Sequence, residues 1–170
     1  MIQVREKRLD DGMHLVEARR AVEAAGHDAR VILNDRPDIA RLAGAAGVHV
    51  GSEDLPPGEA RALLGPGAMI GFSTHSPGDA IRAASLPIDY VALGPVYLTG
   101  HASVRRVPIG PEGIARAAAG CRKPIVAIGG IDPDRARECL AAGAAAVAVM
   151  GDLMTAKDIS ARVAAYRPGG

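Results

Sequence analysis

Short runs rich in Val, Ile and Leu begin near residues 2 (IQVR), 31 (VIL), 48 (VHV), 69 (MIGF), 89 (DYVAL), 124 (PIVAI) and 146 (AVAVM), each followed by an Ala-, Leu- and Arg-rich stretch. This alternation is a βα repeat, and it constrains the chain more than any single motif does. The runs are spaced by 29, 17, 21, 20, 35 and 22 residues, enough in each case for a crossover helix. Near-continuous apolar strands imply burial on both faces, as in a parallel sheet covered by helices. With one Phe, three Tyr and no Trp, the core has to be built from Ala, Val, Ile and Leu, which suits close helix-on-strand packing.

The expected fold class is therefore α/β, a TIM (β/α)8-type parallel barrel that lacks its first βα unit. Seven strands are visible where a closed barrel has eight. Met1 lies directly against the first strand, so the deficit is expected at the amino end. One expected way to cover the open strand edges is association with a second copy, a possible homodimer. Residues 1–170 are expected to form one domain.

A formal charge of +1 with interspersed signs gives no polybasic stripe, and the few aromatics leave no stacking platform, so a nucleic-acid partner is not expected. The longest apolar run, around residues 144 to 150, is too short to span a bilayer, and no charged-then-apolar leader opens the chain, so no membrane partner and a cytoplasmic location are expected. Cys121 and Cys139 lack metal-ligand spacing and read as reduced thiols.

In βα folds the reactive side chains collect where strands end. Residues 124 to 134 run from a buried strand through Gly129 and Gly130 into Asp132 and Pro133, an N-cap and a first helical residue. Such a turn admits an anion to its backbone N–H groups, though it also occurs as a plain tight connection. The first strand carries Gln3, Arg5 and Lys7 at spacing two, on one face of an extended chain; the alternative is a solvated edge face. Asn34-Asp35 and Gly51-Ser52-Glu53-Asp54 close the next two strands. Asp35 and Asp54 together make the usual protein share of a Mg²⁺ shell, while either alone reads as a helix cap ahead of Pro37 or Pro56. Ser73-Thr74-His75 ends the following strand, with an N-cap role for Ser73 or Ser76 as the competing reading. The long interval from Gly94 to Gly110 reads as a functional loop. A Schiff-base aldolase would need a strand Lys; only Lys7 and Lys123 are so placed, and neither has the necessary acidic neighbours.

Gln-x-Arg-x-Lys, Asn-Asp, Val-His-Val-Gly-x-Glu-Asp, Ser-Thr-His-Ser, Leu-Gly-Pro-Val-Tyr-x-Thr and Ile-Gly-Gly-Ile occur in this order from residue 3 onward. Six motifs at barrel spacing resemble the thiamine phosphate synthase family, over residues 3 to about 155. The resemblance implies a (β/α)8 barrel that condenses hydroxymethylpyrimidine pyrophosphate with thiazole phosphate and releases pyrophosphate. It implies that Gln3, Arg5, Lys7, Asn34 and Ser73 hold the pyrimidine pyrophosphate, with Arg5, Lys7 and Ser73 acting in catalysis. Asp35 and Asp54 would bind Mg²⁺, and Thr99, Gly130, Met150 and Gly151 would hold the thiazole phosphate. The chain departs from the family where a Thr-x-Thr-Lys loop is usual: Thr99 is followed by Gly100, His101 and Ala102, which removes a lysine that grips pyrophosphate. Arg105 or Arg106 is the expected substitute. Two alternatives stand beside the synthase: a non-catalytic barrel that binds a phosphorylated ligand, and a thiazole tautomerase, which resembles the synthase but uses a His where this chain has Pro95.

Overall fold

In the computed structural model, which describes residues 1–100 and 106–167, strands and helices alternate from the first strand to the seventh, after which two helices follow. In order these are β1 (Ile2–Val4), α1 (Asp11–Ala25), β2 (Val31–Asn34), α2 (Pro37–Ala43), β3 (Gly47–Val50), α3 (Pro57–Leu64), β4 (Met69–Thr74), α4 (Pro77–Ala83), β5 (Tyr90–Leu93), α5 (Gly110–Ala118), β6 (Ile125–Ile128), α6 (Pro133–Ala141), β7 (Ala146–Ala148), α7 (Gly151–Met154) and α8 (Ile159–Ala164). All seven expected strands are present at the expected positions. Proline stands in the first turn of α2 to α6, where its missing N–H has no intrahelical partner to lose. His101, Ala102 and Arg105 lie outside the described residues.

Two compact units divide the chain: Met1–Ser73 with Ser85–Asp89, and Thr74–Ala84 with the chain from Tyr90 onward. In the first unit β1 to β4 pair in parallel and in chain order, with Gln3 opposite Ile32, Asn34 opposite His49, and His49 opposite Gly71. That register sets the carboxyl ends of β2, β3 and β4 side by side. In the second unit β5, β6 and β7 also pair in parallel, with Ala92 opposite Val126 and Ala127 opposite Val147.

The core is mainly aliphatic, with Tyr90 and Cys139 also buried in it. Ile32, Leu33, Val48, Val50 and Ile70 are fully buried in the first unit, and Val91, Leu93 and Ile114 in the second. Each contributes roughly 1.5–3 kcal/mol of transfer free energy. Burial on both faces holds for β2, β3, β5 and β6 but not for β1 or β7, where most positions are exposed. Each of those two strands closes one end of its unit's ladder and has a single neighbour there. The first strand is also shorter than its alternating pattern suggests: it ends at Val4, so Arg5 and Lys7 belong to the loop before α1 rather than to one face of a strand.

Candidate active site

In the first unit Lys7, Asp35 and Asp54, three of the polar residues expected from the sequence, come together at the carboxyl ends of β2 and β3. Asp35 follows β2 directly, with a left-handed φ of 63°, the conformation that Asp and Asn tolerate best among residues with a side chain. Its backbone N–H donates to the His49 carbonyl at 2.8 Å, which ties the turn to β3. The Lys7 Nζ lies 3.2 Å from its carboxylate, so the loop after β1 brings a cation to this turn. Asp54 reaches the same place from the loop after β3, where its Oδ2 accepts the Gly51 N–H at 2.7 Å. Burial pushes the Asp54 carboxyl up from its ordinary range, and contact with Asp35 adds to the rise, against the Gly51 N–H and the Lys7 charge.

Neither aspartate caps a helix. The cap positions of α2 and α3 are Arg36 and Pro56, without a side-chain hydrogen bond in either. Two half-buried carboxylates that repel one another and face one lysine make a donor set fitting a hard divalent cation, which takes one or two protein carboxylates and fills its remaining positions with water and substrate oxygens. Among the described residues no cluster of three or more His, Cys, Asp or Glu is arranged to enclose a metal without a substrate.

Ser73 and Ser76 divide the two roles that the sequence leaves open. Ser76 caps α4 by accepting the Asp79 N–H at 3.1 Å. Ser73 instead lies 2.8 Å from the His49 Nε2. Asn34 ends β2 beside His49 in the register. Gln3 stands within β1, and Arg5 follows in the loop; both are exposed.

His49, the buried partner of Ser73, is a residue that reading by strand ends does not single out, because it lies inside a strand. Only its pairing with Ser73 across the ladder marks it. Burial pulls its pKa down from 6.5 to about 4, with the Asp35 charge opposing. The sign of the consequence follows from proton uptake: between these two values the unfolded chain binds a proton that the folded chain refuses, so stability is full above about pH 6.5 and is lost as pH falls toward 4. The expected loss is on the order of 3 kcal/mol as an upper limit. Urea denaturation at pH 7.5 and 4.5 checks it; His49→Gln should flatten that difference, and an equal slope in both proteins would reject the assignment to His49.

The second unit carries the Gly-Gly turn. Gly129 and Gly130 have φ of 93° and 65°, and a Cβ on Gly130 would stand 2.4 Å from the Leu98 carbonyl oxygen. Only glycine lets these two backbone segments approach so closely, which sets Thr99, one residue beyond Leu98, near the turn. Asp132 caps α6 by accepting the Arg135 N–H at 2.9 Å, as its place before Pro133 suggests. The Arg135 Nη1 donates to the Gly130 carbonyl at 2.8 Å, and its guanidinium lies over the Tyr97 ring, 4.7 Å from the centroid. The Tyr97 hydroxyl donates to Glu138 Oε2 at 2.6 Å. Met150 and Gly151 form the entry to α7, with Met150 at the cap position. His75 donates from Nδ1 to the Gly94 carbonyl at 2.8 Å, a structural use of its ring.

Among the described residues no helix is long and apolar enough to cross a membrane.

The profile of the family described as thiamine monophosphate synthase matches residues 1–153. The chain is 45% identical to the thiamine biosynthesis bifunctional protein ThiM/ThiE of Symbiobacterium thermophilum over 93% of its own length, and spans 33% of that longer protein. It is 42% identical to the thiamine-phosphate synthase of Moorella thermoacetica, covering 94% of this chain and 77% of that one. The solved thiamine phosphate pyrophosphorylase from Pyrococcus furiosus superposes with a TM-score of 0.87 at 32% identity, over 97% of this chain and 79% of that chain. The fold class is accordingly the α/β, TIM-type one, with one βα unit fewer than a closed barrel. By profile, sequence and structure alike, the chain belongs to the thiamine monophosphate synthase family.

Proposed function

We propose that the chain is a thiamine phosphate synthase, which transfers the pyrimidinylmethyl group of hydroxymethylpyrimidine pyrophosphate to the nitrogen of thiazole phosphate. The observation that carries this reading is the meeting of Lys7, Asp35 and Asp54 beside Ser73 at the carboxyl ends of neighbouring strands. In this reaction the bond between the pyrimidine methylene and the pyrophosphate oxygen breaks, and both electrons leave with pyrophosphate. The electron-rich pyrimidine sustains the resulting cation until the thiazole nitrogen lone pair forms the new C–N bond. No proton has to be removed, so no general base is needed.

Charge on the leaving group is then the main problem, and cationic or hydrogen-bonding groups that meet it in the transition state are the solution. Lys7 and Arg5 supply positive charge, the Ser73 hydroxyl donates a hydrogen bond, and Gln3 and Asn34 orient the pyrimidine pyrophosphate. A Mg²⁺ held by Asp35 and Asp54 neutralises pyrophosphate oxygens when bound. Arg106, exposed in the loop before α5, is placed by sequence to supply the charge of the missing loop lysine. In the second unit Thr99, the Gly130 turn and the Met150-Gly151 turn hold the thiazole phosphate on backbone N–H groups. The enzyme acts in the cytoplasm on these two small molecules.

The test is turnover of the full chain with both substrates and MgCl₂. Thiamine phosphate and pyrophosphate should appear in equal amounts, and chelation of the metal should stop both. Metal-dependent binding of the pyrimidine pyrophosphate without turnover would replace this reading with a non-catalytic binding barrel, as loss of the loop lysine at Ala102 favours.

A further inference from the structure

The two turns read as the thiazole phosphate site share a support that comes from α8 and the turn that follows it. The Tyr166 hydroxyl lies 2.6 Å from Asp152 Oδ2 and 3.2 Å from the Ile131 carbonyl oxygen. Arg162 grips the same carboxylate with two hydrogen bonds, Nε to Oδ2 at 2.6 Å and Nη2 to Oδ1 at 2.5 Å. Asp152 follows Gly151, and Ile131 follows Gly130, so one cluster touches the residue after each turn. The family profile ends at residue 153, and both gripping side chains lie beyond it.

A surface ion pair alone would contribute little. This one differs in two respects. The fork of Arg162 engages both carboxylate oxygens, which fixes orientation as well as distance. The phenol adds a third bond, and the Asp152 carboxyl is held well below its ordinary range, first by the Arg162 hydrogen bonds. The carboxylate stays charged and the cluster stays closed at neutral pH.

We propose that Tyr166 and Arg162 are positioning residues for the thiazole phosphate, tying together the residues that follow the two turns, Ile131 and Asp152. A trans peptide is planar, so a carbonyl held on one side points its following N–H to the other. Arg135 holds the Gly130 carbonyl and Tyr166 approaches that of Ile131. The N–H of Ile131 is thereby pointed away from Arg135, and the Tyr166 hydroxyl, whose one hydrogen goes to Asp152, fixes the distance between Asp152 and the Ile131 carbonyl before any phosphate arrives. This rests on the reading of Gly130 and Met150-Gly151 as that phosphate's site.

Titration calorimetry of the full chain with thiazole phosphate, beside steady-state kinetics, tests it. Tyr166→Phe removes one hydroxyl and should weaken binding about tenfold, the loss expected for one hydrogen bond to a charged acceptor. The KM for thiazole phosphate should rise in step, while kcat and the KM for the pyrimidine pyrophosphate stay as in the parent. Arg162→Lys, which keeps the charge but not the fork, should fall between parent and Tyr166→Phe, and carries the test if the latter fails to fold. Equal affinity in parent and variants, or a rise in both KM values together, overturns the clamp while the site reading stands. Absence of thiazole phosphate binding in the parent overturns both.

Discussion

Asp35→Asn should lower turnover roughly 10²- to 10³-fold, the scale seen when one group that meets transition-state charge is removed, and leave the fold intact. The separation of the two effects comes from the backbone. Asp35 sits at a φ of 63°, and Asn is the other side-chain-bearing residue that enters this region readily, so the turn keeps its shape. Its N–H still donates to the His49 carbonyl, because that bond is made by the main chain. What is lost on the stability side is the ion pair with Lys7, whose side chains are 57% and 28% exposed, for Lys7 and Asp35. Such a pair is worth about 1 kcal/mol at most, which for a domain of this size moves the melting midpoint by only about 2–4 °C. Asp35→Ala would confuse the result, since a residue without a local hydrogen-bonding side chain adds strain in the left-handed region. Pyrophosphate release and calorimetric titration with Mg²⁺, each beside a thermal melt, give the answer. A rate and metal dependence matching the parent's would remove Asp35 from the site.

The turn that makes this prediction clean was only half visible in the sequence. Alternation of β-branched and Ala-rich stretches locates every strand, because strand periodicity and helix punctuation are local properties. Asp132 before Pro133 reads as a cap for the same reason and is one. Asp35 and Asp54 carry the same local signal, aspartate shortly before proline, and cap nothing. Their distinction lies in φ at Asp35 and in the loop that folds Asp54 back onto the Gly51 N–H, both fixed by tertiary context. The length of β1 is another non-local quantity: alternation continues through Lys7 in the sequence, but pairing with β2 stops at Val4. His49 and Tyr166 are illegible for a sharper reason. Their partners lie 24 and 35 residues away, at Ser73 and Ile131, and no spacing within one element can announce such a contact.

Gly130→Ala should abolish high-affinity binding of thiazole phosphate and destabilise the chain at once, for one steric reason. At a φ of 65° an added Cβ meets the Leu98 carbonyl oxygen at 2.4 Å and the Tyr97 Cβ at 3.0 Å. The nearest neighbour is backbone, so no side-chain rotation can relieve the contact. Left-handed strain alone costs about 1–2 kcal/mol, and displacement of the 97–98 segment adds to it, so a loss of roughly 2–4 kcal/mol in unfolding free energy is expected. Movement of the turn also shifts the N–H groups that would meet the phosphate, and a donor set displaced by about 1 Å loses on the order of 10²-fold in function. The pyrimidine pyrophosphate, whose proposed ligands apart from Arg106 belong to the first unit, should still bind with Mg²⁺ at close to the parent's affinity below the melting range. That contrast is the decisive part, because a variant that is merely less stable loses both ligands together. Calorimetry with each ligand separately, at a temperature where circular dichroism shows the variant folded, makes the comparison. Unchanged thiazole phosphate affinity would move the phosphate site away from the Gly-Gly turn, and with it the role given to Thr99 beside it.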